Sequence, residues 1–485
     1  MKNLHWYDIF SINIYWLGLT SVSQTINPLI IPLLIQQFVG ENQQGTYFGI
    51  IRFWTLMMAI IFQSLFGMLS DQFTSRIGKR KPFILAGTLG LDILILSLGF
   101  LQTMAGLAGF WLLFLIVMLV MIFANMAHGA LQGLIPDLVP KQRYGRFAGA
   151  KALFEVPLPA ILISFTIADL IGNGNLWGGL IVLVLVLDAC AALTMFAPEE
   201  KSSTGKLHVD WQAIKPLVYM TAAFGGIILL AGNTLPLLTP WLRTLPVVHQ
   251  IPAMIAFGIF IIGVAVIAGI QLSLRIGLGK NGRKEKRNYR LWLLNRLTFL
   301  LGVTNMVSFL VYFIQAKLQI SGEAAVQPAA IMMRYVGIFI LVSALPGGWL
   351  ADHMPKKWLI FFGTIAAFIG AVILILAGDL NQIYLGGVLL GSAAGIFYSA
   401  NWALGTELVP MDESGKYLGM SNLASAGAGA IGAYVGGPIA DYFTNVPGVD
   451  GFGYIVLFII FSCLILISLS TLPFIRENTS KGFSV

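Results

Sequence analysis

Apolar runs about twenty residues long recur along the whole of this chain, and about 20 residues are what a helix needs to cross a bilayer. No other feature narrows the fold as much. By this rule roughly 14 spans are expected. The first six cover about 8–37, 46–72, 82–104, 108–136, 146–171 and 176–197, and two more cover about 215–241 and 250–275. The last six cover about 291–318, 329–352, 356–378, 381–408, 415–443 and 452–475. Charged residues make up only 10% of the 485 residues, where a soluble domain carries about 25%. The expected fold class is therefore an all-α polytopic membrane protein.

The placement of charge tests the layout. With the N-terminus in the cytoplasm, 24 of the 29 Lys and Arg fall in inner loops or at inner span ends, and the exceptions are Arg52, Arg243, Arg296, Lys317 and Arg334. Such a bias sets orientation and an even number of spans, with both termini cytoplasmic. The net charge of +8 lies in short loops and sets topology, so no nucleic-acid partner is implied. The segment 215–275 is almost continuously apolar, which disfavours a 12-span layout that leaves it in a cytoplasmic linker. Three domains are expected: residues 1–200, an inserted hairpin with a basic loop over 201–290, and 291–485. Met1–Tyr7 holds no pattern of a removable signal peptide. Cys190 and Cys463 both lie inside apolar runs, so neither a disulfide framework nor a metal site is expected.

One stretch carries four cations and one acid in sixteen residues: Gly67-Met-Leu-Ser-Asp71-Gln-Phe-Thr-Ser-Arg76-Ile-Gly78-Lys79-Arg80-Lys81-Pro82. Gly67 suits a close helix crossing. Asp71 sits at a span end within reach of Arg76 or a neighbouring helix terminus. Gly78 suits a tight turn, and Pro82 the first turn of the next helix. A second copy, Gly347-Gly348-Trp-Leu-Ala-Asp352-His-Met-Pro-Lys356-Lys357, places Asp352 281 residues after Asp71. Another pair aligns without gaps at an offset of 270, Asp137-Leu-Val-Pro140 through Gly149 against Glu407-Leu-Val-Pro410 through Gly419. An even number of spans separates the copies, so the chain reads as two parallel repeats.

Two six-span halves with this loop between spans two and three resemble the major facilitator superfamily. The wording around Gln63-Ser-Leu-Phe-Gly67 through Pro82-Phe-Ile is similar to its sucrose-transporter-like branch, related to glycoside–pentoside–hexuronide cation symporters. The resemblance implies an alternating-access fold of two six-helix bundles related by a pseudo-twofold, here with two extra helices between them. It implies a central cavity and glycoside uptake driven by protons or sodium. Gln63 stands where sodium-coupled relatives carry an acid, which favours protons. Gln132 stands near the place where plant sucrose carriers carry an arginine.

The same resemblance has the first, fourth, seventh and tenth core spans line the cavity. Candidate solute contacts on them are Gln24, Asn27, Asn125, Gln132, Asn305, Tyr312, Tyr398, Asn401 and Trp402. Amides and hydroxyls bond sugar hydroxyls and aromatic rings stack on sugar faces, although helix–helix hydrogen bonding uses the same residue types. Ionisable residues at membrane depth are functional candidates. A histidine pKa can cross physiological pH with small changes of surroundings, which suits proton coupling at His128, and a neutral histidine bonded to a backbone carbonyl is the plainer alternative. Glu155, one turn after Lys151, is the second coupling candidate or half of a structural pair. Asp92 and Asp188 suit packing or pairing. Gly67, Asp71, Arg76, Gly78, Arg80, Gly348 and Asp352 form the gating loops. Arg52 and Arg334, near the outer end of the second span of each half, form a latch or snorkel to headgroups.

The expected function is secondary active transport, with proton-coupled uptake of a glycoside or other small polar solute first. Proton-driven efflux of hydrophobic compounds is the alternative, and a non-transporting pigment- or lipid-binding protein is the third. The partners are a small-molecule substrate, protons and the lipid bilayer, with a monomer expected. No catalytic triad, metal cluster or phosphate loop is visible, so neither an enzyme nor a cofactor is expected. The basic loop from Arg275 to Arg290 either holds its side inward or binds headgroups or a partner.

Overall fold

A computed structural model describes residues 5–73, 75–199, 211–278, 287–320, 322–409, 414–444, 446 and 452–476. Residues 279–286 of the 275–290 loop, and Pro410–Glu413 of the second repeat motif, lie outside the described residues. All described regular elements are helical. Twelve helices are long and apolar enough to cross a membrane. A thirteenth span arises if a pair bent by 62°, Arg287–Ser308 and Leu310–Leu318, is counted as one. The protein is an integral membrane protein. The expected count of 14 is reached only if Ser414–Thr444 is added, a 31-residue helix outside that test.

Close packing divides the chain into two compact units. The first comprises Met1–Gln44, Trp54–Val218 and Ile320–Arg334. It contains α1 (Asp8–Thr25), α2 (Ile31–Val39), α4 (Lys81–Phe100), α5 (Gly106–Gln132), α6 (Leu134–Leu138), α7 (Tyr144–Glu155), α8 (Pro157–Leu162), α9 (Ala168–Gly172) and α10 (Leu176–Thr194). The second comprises Gly45–Phe53, Tyr219–Gln319 and Tyr335–Val485. It contains α12 (Leu235–Leu242), α13 (Val247–Leu278), α14 (Arg287–Ser308), α15 (Leu310–Leu318), α17 (Lys356–Leu376), α18 (Leu380–Glu407), α19 (Ser414–Thr444) and α20 (Phe452–Ile467). Three helices contribute to both: α3 (Gln44–Gln72), α11 (Trp211–Gly232) and α16 (Val326–His353).

In the first unit α1 packs along α10 and α7, and α4 along α5 and α10. Gly129 of α5 has no side chain to hold it off α3, and a Cβ there would stand 2.6 Å from the Gly67 nitrogen. In the second unit α14 is wrapped by α19 and α20, with α17 paired to α18. Its centre is aromatic: Phe299 stacks on Phe397 at 3.5 Å and Phe313 on Phe458 at 3.9 Å between centroids. The inserted helices join this unit. Phe224 of α11 lies against Gly269 and Gly427, and the Tyr442 hydroxyl bonds Gln250 at 2.9 Å.

Several spans are broken, and two breaks have a sequence cause. Pro157 has no N–H and Pro159 follows it, so α7 ends at Glu155 and α8 begins at Pro157. In span one Pro28 lies in the wide π turn Ile26–Ile30 that joins α1 to α2.

Candidate functional site

A cavity of about 310 Å³ lies within the first unit, walled by α1, α3, α5 and the end of α7. Its wall is largely apolar, with Trp16, Leu19, Val22, Ile26, Val117, Val120 and Met121 on it, and its polar lining is Thr20, Ser23, Asn27, Gln63, Asn125, His128 and Glu155. The break before Pro157 places Glu155 as the last residue of α7. One turn earlier, the Lys151 ammonium stands 3.5 Å from the Glu155 carboxylate and 3.9 Å from the centroid of the Trp16 ring. Trp16 meets His128 edge-on at 5.2 Å, and His128 Nε2 lies 3.2 Å from Gln132 Nε2. The result is a continuous row, Glu155, Lys151, Trp16, His128, Gln132, linking two ionisable groups on the cavity wall through a cation and an aromatic ring.

The structure brings four expected residues to this wall: Asn27, Asn125, His128 and Glu155. The amide of Asn27 donates to the Ser23 carbonyl at 3.1 Å, and that of Asn125 to the Met121 carbonyl at 2.7 Å, so each spends one donor on its own helix. Gln132 is exposed beyond the cavity, and Gln24 is half-buried with its Oε1 unsatisfied. In the second unit Asn305 is buried and donates to the carbonyls of Leu301 and Ala428, a bond between helices. Tyr312 is buried in an aromatic cluster with Tyr454 and Phe48. Tyr398, Asn401 and Trp402 gather on α18 beside Arg296 of α14. Asp92 of α4 and Asp188 of α10 stand close to one another.

The basic loop closes on Arg80 rather than on Arg76. The Arg80 guanidinium pairs with Asp71, donates to Ser70 Oγ at 2.5 Å and to the Gly67 carbonyl at 3.3 Å, and meets Asp137 at 2.9 Å. Arg76 is exposed. Gly78 has φ of 120°, a conformation glycine adopts readily, and that turn sends Arg80 back toward α3. The Glu199 carboxylate accepts from the backbone nitrogens of Lys79, Arg80 and Lys81 at 3.1, 2.7 and 3.3 Å. Neither Glu199 nor Ser70 is visible from sequence as part of this knot. In the second unit Lys356 pairs with Glu407 at 2.7 Å, while Asp352 is exposed and Gly348 has open space about it. Arg52 donates to Ser308 Oγ at 3.4 Å within the second unit, and Arg334 lies over the Phe165 ring at 4.3 Å within the first.

Residues 291–484 match the family model of the Major Facilitator Superfamily. Over nearly the whole chain the structure superposes on solved transporters of low sequence identity. The nucleoside transporter NupG gives a TM-score of 0.61 at 12% identity, covering 97% of this chain and 99% of that one. A POT peptide transporter in complex with sulfate gives 0.63 at 15% identity, covering 96% and 94%. The fold is the major facilitator fold. Among curated proteins, the multi-drug resistance efflux pump PmrA of Streptococcus pneumoniae is 27% identical over 209 residues, 41% of this chain and 49% of that protein. The multidrug resistance protein MdtG of Enterobacter lignolyticus is 27% identical over 174 residues, 36% of this chain and 39% of that protein. The chain thus spans about half, or less, of the length of these curated relatives.

Within a major facilitator fold the informative departure from expectation is Arg296. It is one of the five cations outside the inner loops, and a cation inside an apolar run is a functional signal that sequence alone could have ranked higher.

Proposed function

We propose that this chain is a proton-coupled secondary transporter working by alternating access, whose solute is a small organic molecule with a large apolar part. It resides in the cell membrane with both termini cytoplasmic. The observation that carries the reading is the cavity wall: largely apolar, with the Trp16 ring on it and His128 and Glu155 as its ionisable groups. An apolar wall with a few placed polar groups suits an amphipathic ligand. Its amides are turned in part to their own helices, which weakens the match to a polyol. The names of the efflux relatives favour movement out of the cell. His128 and Glu155, joined through Trp16 and Lys151, are the proton-exchanging groups, and the solute competes for the same wall.

Glycoside uptake is the second reading, favoured by the presence of Asn27, Gln63 and Asn125 on the cavity wall. One experiment separates them. Proteoliposomes holding the purified protein are given a pH gradient and a panel of amphipathic dyes of both charges together with labelled sucrose and maltose. Gradient-driven movement of dyes, lost in Glu155→Gln and in His128→Ala, supports the first reading, and gradient-driven sugar uptake alone supports the second. If no panel member responds to the gradient, coupled transport is refuted.

A further inference from the structure

Arg296 is a cation in the membrane-spanning part of the second unit, nine residues into α14 and so roughly 13 Å along it. Charges at such depth are usually paired. Lys151 in the first unit follows that rule, with Glu155 beside it. Arg296 does not: among the described residues its hydrogen-bond partner is a neutral amide, Asn401 Oδ1 at 3.1 Å, and its buried Nε has no acceptor.

The partner is fixed in place. Asn401 Nδ2 donates to Asn295 Oδ1 at 3.1 Å, and Asn295 Nδ2 donates to the Ser468 carbonyl at 2.8 Å. The Trp292 indole N–H donates to the Asn401 carbonyl at 2.8 Å. This chain of donors dictates that the Asn401 oxygen faces the guanidinium, so Arg296 is held by a platform that neutralises none of its charge. The rings of Trp402 and Trp292 lie 5.2 and 5.8 Å from the guanidinium carbon, and Tyr398 stands nearby. Arg296 and Tyr398 are only half-buried and Trp402 is exposed, so the group is open to a solute.

Among the described residues no carboxylate pairs with Arg296, and a half-buried planar fork of donors with aromatic faces beside it has the chemistry of a carboxylate receptor. We propose that Arg296, with Trp402 and Tyr398, forms an anchor for an aromatic carboxylate, which makes amphipathic organic acids the solute class of this transporter. The proposal rests on the transport reading above and narrows it.

The test is binding, not transport. Purified full-length protein in detergent is heated in the presence of benzoate or its neutral isostere benzamide, since a ligand of the native state raises the unfolding temperature. The expected result is stabilisation by benzoate and little by benzamide. Arg296→Gln is expected to weaken the apparent benzoate affinity roughly tenfold or more, with Arg296→Lys between it and wild type. Trp402→Ala leaves the charge in place and is expected to lower affinity for benzoate while leaving that for acetate unchanged, which keeps the test open if Arg296→Gln folds poorly. Equal effects of benzoate and benzamide on the wild type, or an Arg296→Gln protein that folds and still prefers benzoate, would overturn the inference. Benzoate binding without gradient-driven transport would sink the transport reading alone. Gradient-driven dye movement without benzoate preference would sink only the anchor.

Discussion

Arg80 shows how much one side chain can organise. Its guanidinium side chain is 5% exposed and meets Asp71, Ser70, the Gly67 carbonyl and Asp137, which ties the end of α3 and the short α6 to the start of α4. Only the arginine side is buried, since the Asp71 and Asp137 side chains are 58% and 24% exposed, so removing it mainly takes the donor from Ser70 and the Gly67 carbonyl, at a cost of about 1–3 kcal/mol. Arg80→Ala is therefore expected to lower thermal stability in detergent clearly, and Arg80→Lys to restore only part, because an ammonium cannot reach four partners spread over a plane. Lys151 and Glu155, 30% and 36% exposed, serve as the contrast. Breaking that pair by Lys151→Ala is expected to cost about 0.5 kcal/mol or less, while still altering coupling. The sequence displayed a basic loop with an acid beside it, and charge order alone pointed to Arg76. What it could not display was direction. The left-handed turn at Gly78 aims Arg80 inward, and Glu199, over a hundred residues away, bonds the backbone that makes the turn.

At the scale of helices, legibility followed chemistry that is local. The prolines at 157 and 159 announce the break that puts Glu155 at a helix end, and Asp379 caps α18 by accepting from the Gln382 nitrogen at 2.9 Å. The 62° bend between α14 and α15 has no proline at it, and nothing in Ser308-Phe309-Leu310 foretells it. Crossings are legible only as candidates. Gly67 and Gly348 occupy matching places in the repeat, yet Gly67 faces Gly129 across a tight crossing and Gly348 faces open space. A test follows from the contacts. In Gly129→Ala the new Cβ meets backbone, 2.6 Å from the Gly67 nitrogen and 2.7 Å from the Gln63 carbonyl, which no rotamer relieves. That substitution is expected to force α3 and α5 apart and cost about 1–3 kcal/mol. Gly348→Ala, with nothing in the way, is expected to be neutral or to gain up to about 1 kcal/mol from helix propensity. Thermal unfolding of the two proteins checks both, and a reversed order would mean the crossing is misplaced.

For the whole molecule the duplication reaches further than its sequence trace. Asp137 and Glu407, the first residues of the gapless repeat, each pair with a cation of the loop in their own unit, Lys79 at 2.9 Å and Lys356 at 2.7 Å. The offset between the acids was readable, but their partners were not, because the loop copies have diverged. The inserted helices raise the opposite question, whether they belong to the fold or merely accompany it. Packing answers that they belong to the second unit: Phe224, 1% exposed, fills the space over Gly269 and Gly427, and Gly258 lies beneath Ile460 and Ile439. Burial in a bilayer gives packing but little hydrophobic gain, so Phe224→Ala is expected to cost about 2 kcal/mol, less than the same change in a water-soluble core. The two free cysteines report each unit separately, Cys190 in the first and Cys463 in the second. On heating with a thiol reagent, Phe224→Ala is expected to lower the temperature at which Cys463 reacts and to leave Cys190 unchanged. Leu230→Ala, at a position 74% exposed, is expected to move neither. Unchanged labelling of Cys463 in Phe224→Ala would show that the second unit stands without the insertion.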